Sequence, residues 1–478
     1  MNKLFLEPDP GSAFDAWQHA ATAQPFGSML GRSLAEWREL TRRQFGLPTD
    51  RPVLATGHQP TLWHPGILAK YLALDAACNA TGFAAANVIV DQDVEDFSSF
   101  DAPLLRADGS LAVRRVELSH TKTDVPIALH EAFRPSAPSR TTYAGEFVAQ
   151  GVQQIVSAIA QHADAPNAAI QMAHALEDLM QPWVKPITSI RATDLCNTDL
   201  AHAIIQHMAA DPHACAEAYN RAISNMPEAG VPMLLVRDDY VELPLWRVGS
   251  DGKRRRAYDS DLHAWLELQN HSIASQSTVR RNAFGLMPRA LLMTAIIRLG
   301  LCDLFIHGTG GARYDRIMEQ WINTWLGMNV APVAVVTATV RLPLQHETET
   351  DLATAQRIAR KTWHDPTANA MAALNHLPSD EKRAMLEEVA RHPRNSLERR
   401  RAYLAMHTRL ENLREHSPYH EAVLASQQAF DRAKQAARNA VIASRRDWAF
   451  PLYPPAMIDD LAASIRAGVH REAAKRTA

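Results

Sequence analysis

The chain has 478 residues and a formal net charge of −2 at pH 7, with 46% hydrophobic and 21% charged residues. This composition is typical of soluble globular proteins, and the length exceeds that of one ordinary core, so we expect two or three domains. A net charge so close to zero creates no overall field that would draw the chain to nucleic acid or to an anionic membrane. The sequence therefore predicts neither of these partners.

The cysteines and the N-terminal residues indicate a reducing compartment. The four cysteines, Cys78, Cys196, Cys215 and Cys302, lie far apart and form no CxxC pair. We therefore expect neither a disulfide framework nor a cysteine-rich zinc site. The first residues lack the apolar run of a signal peptide, and no run of about 18 apolar residues occurs that could cross a membrane. By default, these features predict a cytoplasmic protein.

The first part of the chain has the pattern of a βαβ unit. Residues 10 to 46 have a helical pattern, and the apolar run at 52 to 57 suits a short buried strand. Pro65 then favours a helix start and Gly82 a helix end. A second apolar run at 86 to 93 suits another buried strand. Two strands joined by a crossover of this length are parallel, so the sequence predicts a parallel sheet.

The middle of the chain is less regular. Residues 111 to 120 favour a further strand, and residues 145 to 225 are alanine-rich and mostly helical, with a short extended piece at 185 to 192. Residues 231 to 259 resemble extended segments joined by turns. We therefore expect a helical insertion followed by a small number of strands.

An α/β pattern returns after this middle part. The expected elements are a helix, a strand, a helix and a strand, at residues 286 to 300, 302 to 308, 313 to 327 and 331 to 342. Because they form a second crossover unit, we expect them to share one sheet with the first strands. The predicted domains are a core at 1 to 345 with a mostly helical insertion at about 145 to 230, a helical domain at 346 to 446, and a C-terminal tail and helix at 447 to 478.

The domain at 346 to 446 has the apolar spacing of two helices that pack on each other. The apolar steps of three and four residues that form the two seams are Tyr403, Met406, Leu410 and Leu413, then Val423, Phe430, Ala433, Ala437 and Ala440. The sequence HSPYH separates the seams, so the pattern predicts an antiparallel helical hairpin. It is either a plain two-helix packing element or a longer coiled coil through which two copies would form a homodimer.

Three polar loops follow predicted strands, at the edge of a parallel sheet where ligands usually bind. In the first loop, Gly57 permits a sharp exit from the strand, and His58 and Gln59 lie at its tip. His64 lies at the start of the next helix, where free amides and the helix dipole favour a phosphate or a carboxylate. In the alternative interpretation, His64 only caps the helix and His58 bonds a neighbouring loop.

The second loop is acidic. It contains five carboxylates, Asp91, Asp93, Glu95, Asp96 and Asp101. Like charges this close need a cation, so we predict either a magnesium ion or a substrate amine as their partner. If the strand continued, Asp91 and Asp93 would point to the same side. The alternative is an exposed acidic turn.

The third loop is rich in glycine and lies between a strand and a helix. Its predicted site residues are His307, Gly308, Gly310, Gly311, Arg313 and Tyr314. The layout is that of a phosphate-binding turn, although the spacing matches neither of the two common nucleotide motifs. Arg313 and Tyr314 open the helix and would reach an anion. Packing alone is the alternative reason for the glycines.

In order and spacing, the three loops resemble those of the bacillithiol biosynthesis cysteine-adding enzyme family. Its members carry a Thr-Gly-Gln-Gln element, then Glu-Asp-His-Asp-Phe, and then Gly-Gly-Pro-Gly-Glu with a tyrosine three residues on. The residues that match in identity or character are Thr56, Gly57, Gln59, Asp93, Asp96, Phe97, Gly308, Gly310 and Tyr314, and Tyr71 fits an aromatic in the following helix. This chain differs from the family pattern at four positions. His58 replaces the first glutamine, Glu95 replaces the histidine, and His307 and Gly311 do not match the third element. These differences indicate a divergent branch of the family.

The resemblance implies an α/β fold with a Rossmann-like core and a C-terminal helical coiled coil. It also implies a ligase that joins an amino acid or another carboxylate to an amine, such as an amino sugar, with ATP or ADP and magnesium involved. His58 or His307 would be the general acid/base, since imidazole titrates near neutral pH. The acids at Asp91, Asp93 and Asp96 would hold the amine or the metal. Two alternatives stay open: a nucleotidylyltransferase-like enzyme, and a non-catalytic ligand-binding scaffold whose hairpin docks a partner.

Overall fold

The computed structural model describes residues 3–7, 17–23, 25, 27–120, 124–137, 142–262, 264, 285–344, 351–368, 377–416 and 418–470. The strands are β1 (Lys3–Glu7), β2 (Ser28–Met29), β3 (Arg32–Ser33), β4 (Val53–His58), β5 (Ala84–Ile89), β6 (Ser99–Leu105), β7 (Leu111–Glu117), β8 (Thr188–Arg191), β9 (Glu242–Val248), β10 (Arg254–Tyr258), β11 (Leu286–Pro288), β12 (Leu304–His307) and β13 (Val333–Thr339). The α-helices are α1 (Leu34–Gln44), α2 (Pro65–Thr81), α3 (Glu146–Gln161), α4 (Ala168–Met180), α5 (Ala192–Leu195), α6 (Asp199–Ala210), α7 (Pro212–Ser224), α8 (Ala290–Ile296), α9 (Thr309–Leu326), α10 (Leu352–His364), α11 (Asp380–Arg391), α12 (Leu397–His416), α13 (His420–Ala443) and α14 (Pro455–His470).

The main sheet has six strands in the order β1-β13-β12-β4-β5-β8. The strands from β13 to β8 run parallel, and β1 joins the outer edge of β13 antiparallel. The predicted parallel sheet of a mixed α/β fold is therefore confirmed, and the arrangement is compatible with a Rossmann-like core. β4 lies in the centre, between β12 and β5, so the loop that follows it opens at the middle of the sheet edge.

Both faces of this sheet are covered, which explains why its strands are almost continuously apolar. Along β4, Leu54 packs into one hydrophobic cluster, and its neighbours Val53 and Ala55 pack into another on the opposite face. On β12, Ile306 packs into the same cluster as Leu54, and Phe305 packs into the cluster on the opposite face. The alternation follows from the two-residue repeat of a strand, so the sheet lies between two cores.

Helix α2 begins and ends where the sequence predicts. Pro65 occupies its first turn, and Gly82 ends it with a φ of 74°, a conformation that glycine adopts without strain. Gly66 is needed for packing, since a Cβ atom there would lie 2.6 Å from the carbonyl oxygen of Ala338 on β13. The helix is thereby held close to the sheet.

The predicted helical middle part contains α3 to α7, and its short extended piece forms β8 at the edge of the main sheet. The extended segments after it form a separate antiparallel sheet in the order β10-β9-β11. The helix predicted over residues 286 to 300 is wrong at its start, because Leu286–Pro288 pairs with β9. Proline disfavours a helical residue before it, so the helix begins only at Ala290. It then widens into a π-helical turn at Ile297–Leu301.

Two further strand boundaries differ from the prediction. β5 ends at Ile89, because the amide of Asp91 turns back to donate to the carbonyl of Ile89. The strand expected at 111 to 120 is β7, which pairs with β6 in a hairpin outside the main sheet. β6 contains Pro103, which is why the sequence alone did not indicate a strand there.

The C-terminal helices α12 and α13 are separated at the predicted break. Met406, Leu410 and Leu413 of α12 form a small buried cluster with Met385 of α11. α13 packs along α10 and is tied to the β6–β7 hairpin, since Asn439 accepts a hydrogen bond from the amide of Leu111 at 2.8 Å. These helices therefore pack in a larger helical group, and a coiled coil formed by the two of them stays a prediction.

Parts of three predictions lie outside the described residues: the helix over 10 to 16, the domain start at 346 to 350, and the tail after residue 470. The described part of the first segment is helical at 17 to 22 and at Leu34–Gln44, and a two-stranded turn formed by β2 and β3 separates the two helical stretches. None of the described helices is both long enough and apolar enough to cross a lipid bilayer.

Candidate functional site

A cavity of about 710 Å³ opens at the carboxyl ends of β4, β5 and β12. This volume is within the range of small-molecule sites, and this edge of an open parallel sheet is where ligands usually bind. All three predicted loops contribute to its lining, with Gly57, His58, Gln59, His64, Asp93, His307, Gly308, Gly310, Gly311 and Tyr314. The side chain of Arg313 lies outside the described residues. His58, Asp93 and His307 thus share one cavity.

The two strand-end histidines are held in their neutral form. Burial, and secondly the charge of Lys70, lower the pKa of His58 well below its ordinary value and that of His307 to about 3. The Nδ1 atom of His307 accepts a hydrogen bond from the amide of Gly308 at 3.0 Å. Neither side chain is therefore a charged anion ligand, and each is a weaker base than an ordinary histidine until a bound anion offsets the charge of Lys70.

His64 has a structural role at the start of α2. Its Nδ1 atom accepts a hydrogen bond from the amide of Gly66 at 3.0 Å, and its carbonyl accepts from the amide of Ile67 at 2.9 Å. Pro65 has no amide hydrogen. The helix start therefore presents none of the free amides on which anion binding at this position would depend. Burial, followed by Arg446, lowers the pKa of His64, and the ring still lines the cavity.

Lys70 is a cavity residue that the sequence analysis missed. It is only 3% exposed, and its Nζ atom donates a hydrogen bond to the carbonyl of Gly57 at 2.7 Å. Burial lowers the pKa of Lys70 to about 7. Among the described residues no carboxylate oxygen lies within 4.0 Å of this nitrogen. A lone lysine inside the apolar run of α2 was the available signal, since buried lysines are rare unless they are paired.

The glycine-rich turn presents the start of α9 to the cavity. Gly308 is the N-cap, so the amides of Thr309, Gly310 and Gly311 precede the first intrahelical bond, and no acceptor for them occurs in the described residues. The ring of His307 leaves room only for glycine at position 311, because a Cβ atom there would lie 1.5 Å from Cε1 of His307. Nothing lies within 4 Å of a Cβ atom at Gly310. Such a turn is suited to hold an anion.

The carboxylates of the acidic loop turn to separate partners. Asp91 is fully buried and accepts hydrogen bonds from the amide and hydroxyl of Thr193 at 3.0 and 2.6 Å. Burial raises the pKa of Asp91 to about 6. Asp96 accepts from the amide of Ser98 at 2.9 Å and pairs with Arg115. Asp91 and Asp93 do not point to the same side, because β5 has ended before them.

Asp93 is the only one of the predicted acidic site residues that lines the cavity. It accepts a hydrogen bond from Nε2 of Gln59 at 2.8 Å, and Nη1 of Arg254 lies 3.3 Å from its Oδ1 atom. It therefore already has a cationic partner from β10. Over the described part of the chain, no group of three or more His, Cys, Asp or Glu side chains is arranged to hold a metal ion. A magnesium ion held by these acids stays a prediction, since magnesium is often bound by one or two carboxylates together with the phosphates of a nucleotide.

The small sheet contributes further cavity residues that the sequence did not indicate. Trp246 on β9, Arg254 on β10 and Arg289 before α8 line the cavity there, and Arg446 lines it beside Thr339 of β13. These cations and Lys70 outnumber the lining carboxylates, which are Asp93 and Asp315. The cavity is therefore suited to anionic ligands.

Asp315 on α9 is a second buried ionisable group that the sequence analysis missed. Burial raises its pKa to about 7, against the opposing effect of Arg298. Nη1 of Arg298 lies 3.6 Å from Oδ2 of Asp315, and neither atom has a hydrogen-bond partner. Arg298 is itself 1% exposed and lies in the π-helical turn. Asp315 therefore changes its protonation near neutral pH beside the cavity.

Comparison with known proteins identifies no family for the chain. No protein-family model matches it, and no curated protein shows significant similarity to its sequence. The fold and the site described above therefore carry the functional argument.

Proposed function

We propose that the chain is an enzyme that binds an anionic small molecule in this cavity and joins a carboxylate to an amine. The observation that carries the proposal is Lys70, a buried ammonium that has no carboxylate partner among the described residues. It lies in the same cavity as the free amides of α9 and the neutral His58 and His307. A buried, uncompensated charge is costly to fold, so a ligand that supplies the opposite charge is the physical reason for keeping it.

In this proposal the three groups have distinct roles. Lys70 and the amides of Gly310 and Gly311 hold the phosphate group that the carboxylate takes from ATP, with ADP released, and stabilise the negative charge of this phosphate when it leaves. When the amine attacks the activated acyl carbon, a C–N bond forms and the bond to the leaving group breaks. His58 or His307 accepts the proton that the amine loses. Asp93 orients Gln59 and Arg254 instead of holding the amine itself.

ATP or ADP is the nucleotide expected from the family resemblance, and a phosphate group suits the start of α9. The test measures thermal stability with ATP, ADP and inorganic phosphate for the wild type and for Gly310→Val. We expect stabilisation of the wild type only, because the branched side chain of valine would extend into the open space beside Gly310, which lines the cavity. If none of these anions stabilises the wild type, the cavity is not an anion site and the scaffold interpretation is favoured.

Catalysis is tested with His58→Ala and His307→Ala in a screen of amino acids and amines, with mass spectrometry of the products. Loss of condensation in either variant, with retained anion binding, would support the base assignment. Unchanged turnover in both variants would refute it. A nucleotidylyltransferase-like enzyme would release pyrophosphate, whereas the proposed ligase would release phosphate and ADP.

The proposal extends to a cytoplasmic homodimer formed through α12 and α13. Leu397, Tyr403 and Leu404 on α12 and Leu424 on α13 are large apolar side chains that are exposed in the single chain. Sedimentation of the wild type and of Leu404→Glu tests the dimer. A wild-type monomer at all concentrations would exclude it.

A further inference from the structure

The cavity wall formed by the small sheet holds two arginines against one tryptophan. The guanidinium carbon of Arg289 lies 4.4 Å from the centre of the Trp246 ring, and that of Arg254 lies 4.7 Å from it. Both distances are in the range of a cation–π contact. The side chains are 14% and 16% exposed, so they are packed against the wall and held in place without being sealed from the cavity.

Each guanidinium keeps unused donors. Arg254 uses Nη1, which donates to the carbonyl of Gln92 at 3.0 Å and lies near Asp93. Its Nε and Nη2 atoms have no partner among the described residues. Arg289 uses Nε, which donates to the carbonyl of Leu245 at 3.1 Å. Its Nη2 atom is buried and lies 2.7 Å from Oε1 of Glu242, so Nη1 is the atom of Arg289 that is left for a ligand.

We propose that Arg254 and Arg289 form a second anion subsite, which takes a carboxylate that does not react. The Nε and Nη2 atoms of Arg254 form a planar fork that matches a carboxylate with two parallel hydrogen bonds, and Nη1 of Arg289 adds a further donor. The tryptophan fixes the orientation of both guanidinium groups. One substrate would therefore carry two anionic groups, one at Lys70 and the start of α9 and one at this wall. This inference rests on the proposed function only for the first of these two positions.

The test compares the binding of succinate and of its monoamide, succinamate, by calorimetry. Succinate should bind the wild type about tenfold more tightly, because one charged hydrogen-bonded contact is worth roughly that factor. Arg254→Lys and Arg289→Lys keep the charge but lose the planar guanidinium, so each should weaken succinate binding about tenfold and remove the difference from succinamate. The part of sulfate binding that is lost in Gly310→Val reports the first position, and this part should be the same in these two variants as in the wild type.

Arg256→Lys is the matched control. Arg256 lies on the same strand and pairs with the same Glu242 at 3.1 Å, but it does not line the cavity. Succinate should bind this variant as it binds the wild type. The inference is overturned if the wild type does not bind succinate, or if succinate binds Arg254→Lys and Arg289→Lys with unchanged affinity. If succinate affinity is unchanged in Arg254→Lys and Arg289→Lys while Gly310→Val loses sulfate binding, only the second subsite is excluded. The proposed function then stands.

Discussion

The burial of Lys70 predicts that anion binding in the cavity takes up a proton. Without a ligand, burial holds the pKa of Lys70 at about 7, against an ordinary value of 10.5. A bound anion favours the charged ammonium and raises this pKa. Below about pH 7 the amine is already charged, so affinity is at its maximum. Above that pH the affinity should fall about tenfold per pH unit, over about three units at most if the anion restores the ordinary value.

The assay is calorimetric titration of sulfate between pH 6 and pH 9, in buffers of different ionisation enthalpy. Sulfate keeps the same charge across this range, so its own titration does not contribute. We expect nearly one proton to be taken up per sulfate at the alkaline end, and none in Lys70→Met, whose weak affinity should not change with pH. His58 and His307 would contribute only below neutral pH, because their pKa values are lowered. Asp315 also lines the cavity and its pKa is raised to about 7, so both proteins carry Asp315→Asn in this titration. An affinity that is constant from pH 6 to pH 9 in the protein with Lys70 would refute this account of Lys70.

Three further predictions concern the surroundings of Lys70. Lys70→Met should melt at a higher temperature than the wild type at pH 6, and this gain in melting temperature should shrink toward pH 10. Toward pH 10 the folded wild type loses its buried charge while its unfolded chain keeps the proton, so the wild type becomes more stable. The exposed Lys185→Met is the control and should show no such gain. Gly311→Ala should abolish sulfate binding, since its Cβ atom would lie 1.5 Å from His307. Gly310→Ala should fold and bind sulfate normally, because its Cβ atom has open space. Equal sulfate affinities in these two variants would contradict the packing of Gly311 against His307. The wild type should lose thermal stability as the pH rises from 4 to 7, and Asp315→Asn should not. Over this range the raised pKa of Asp315 keeps a proton on the folded wild type that the unfolded chain has released. An unchanged pH profile in the variant would show that Asp315 is ionised in the folded state.

Local rules were sufficient to predict the elements that carry the three loops. Pro65 and Gly82 bound α2, and short apolar runs on either side form β4 and β5. Parallel strands bring their carboxyl ends to one edge, so the convergence of His58 and His307 follows from the sheet alone. These are short-range signals, and a single sequence contains them in full.

The rest of the site depends on pairings between residues that are distant in the chain. Trp246 lines the cavity because of the register in which β9 pairs with β10 and β11, where Trp246 lies opposite Met287. No periodicity in the sequence predicts this register. Asp93 is neutralised by Arg254, which lies 161 positions further along the chain, so its role could not be inferred from the acidic loop itself. The role of Lys70 as an anion-binding group depends on its burial away from any carboxylate of the described residues, which no local sequence pattern predicts.

The most direct test of the central claim is the position of a bound anion. A crystal soaked in tungstate, a heavier analogue of sulfate, would locate the anion by its anomalous signal. We predict a peak within hydrogen-bonding distance of Nζ of Lys70 and of the amides of Gly310 and Gly311. A cavity without a peak, in a crystal where tungstate binds elsewhere, would contradict the assignment of this cavity as the functional site.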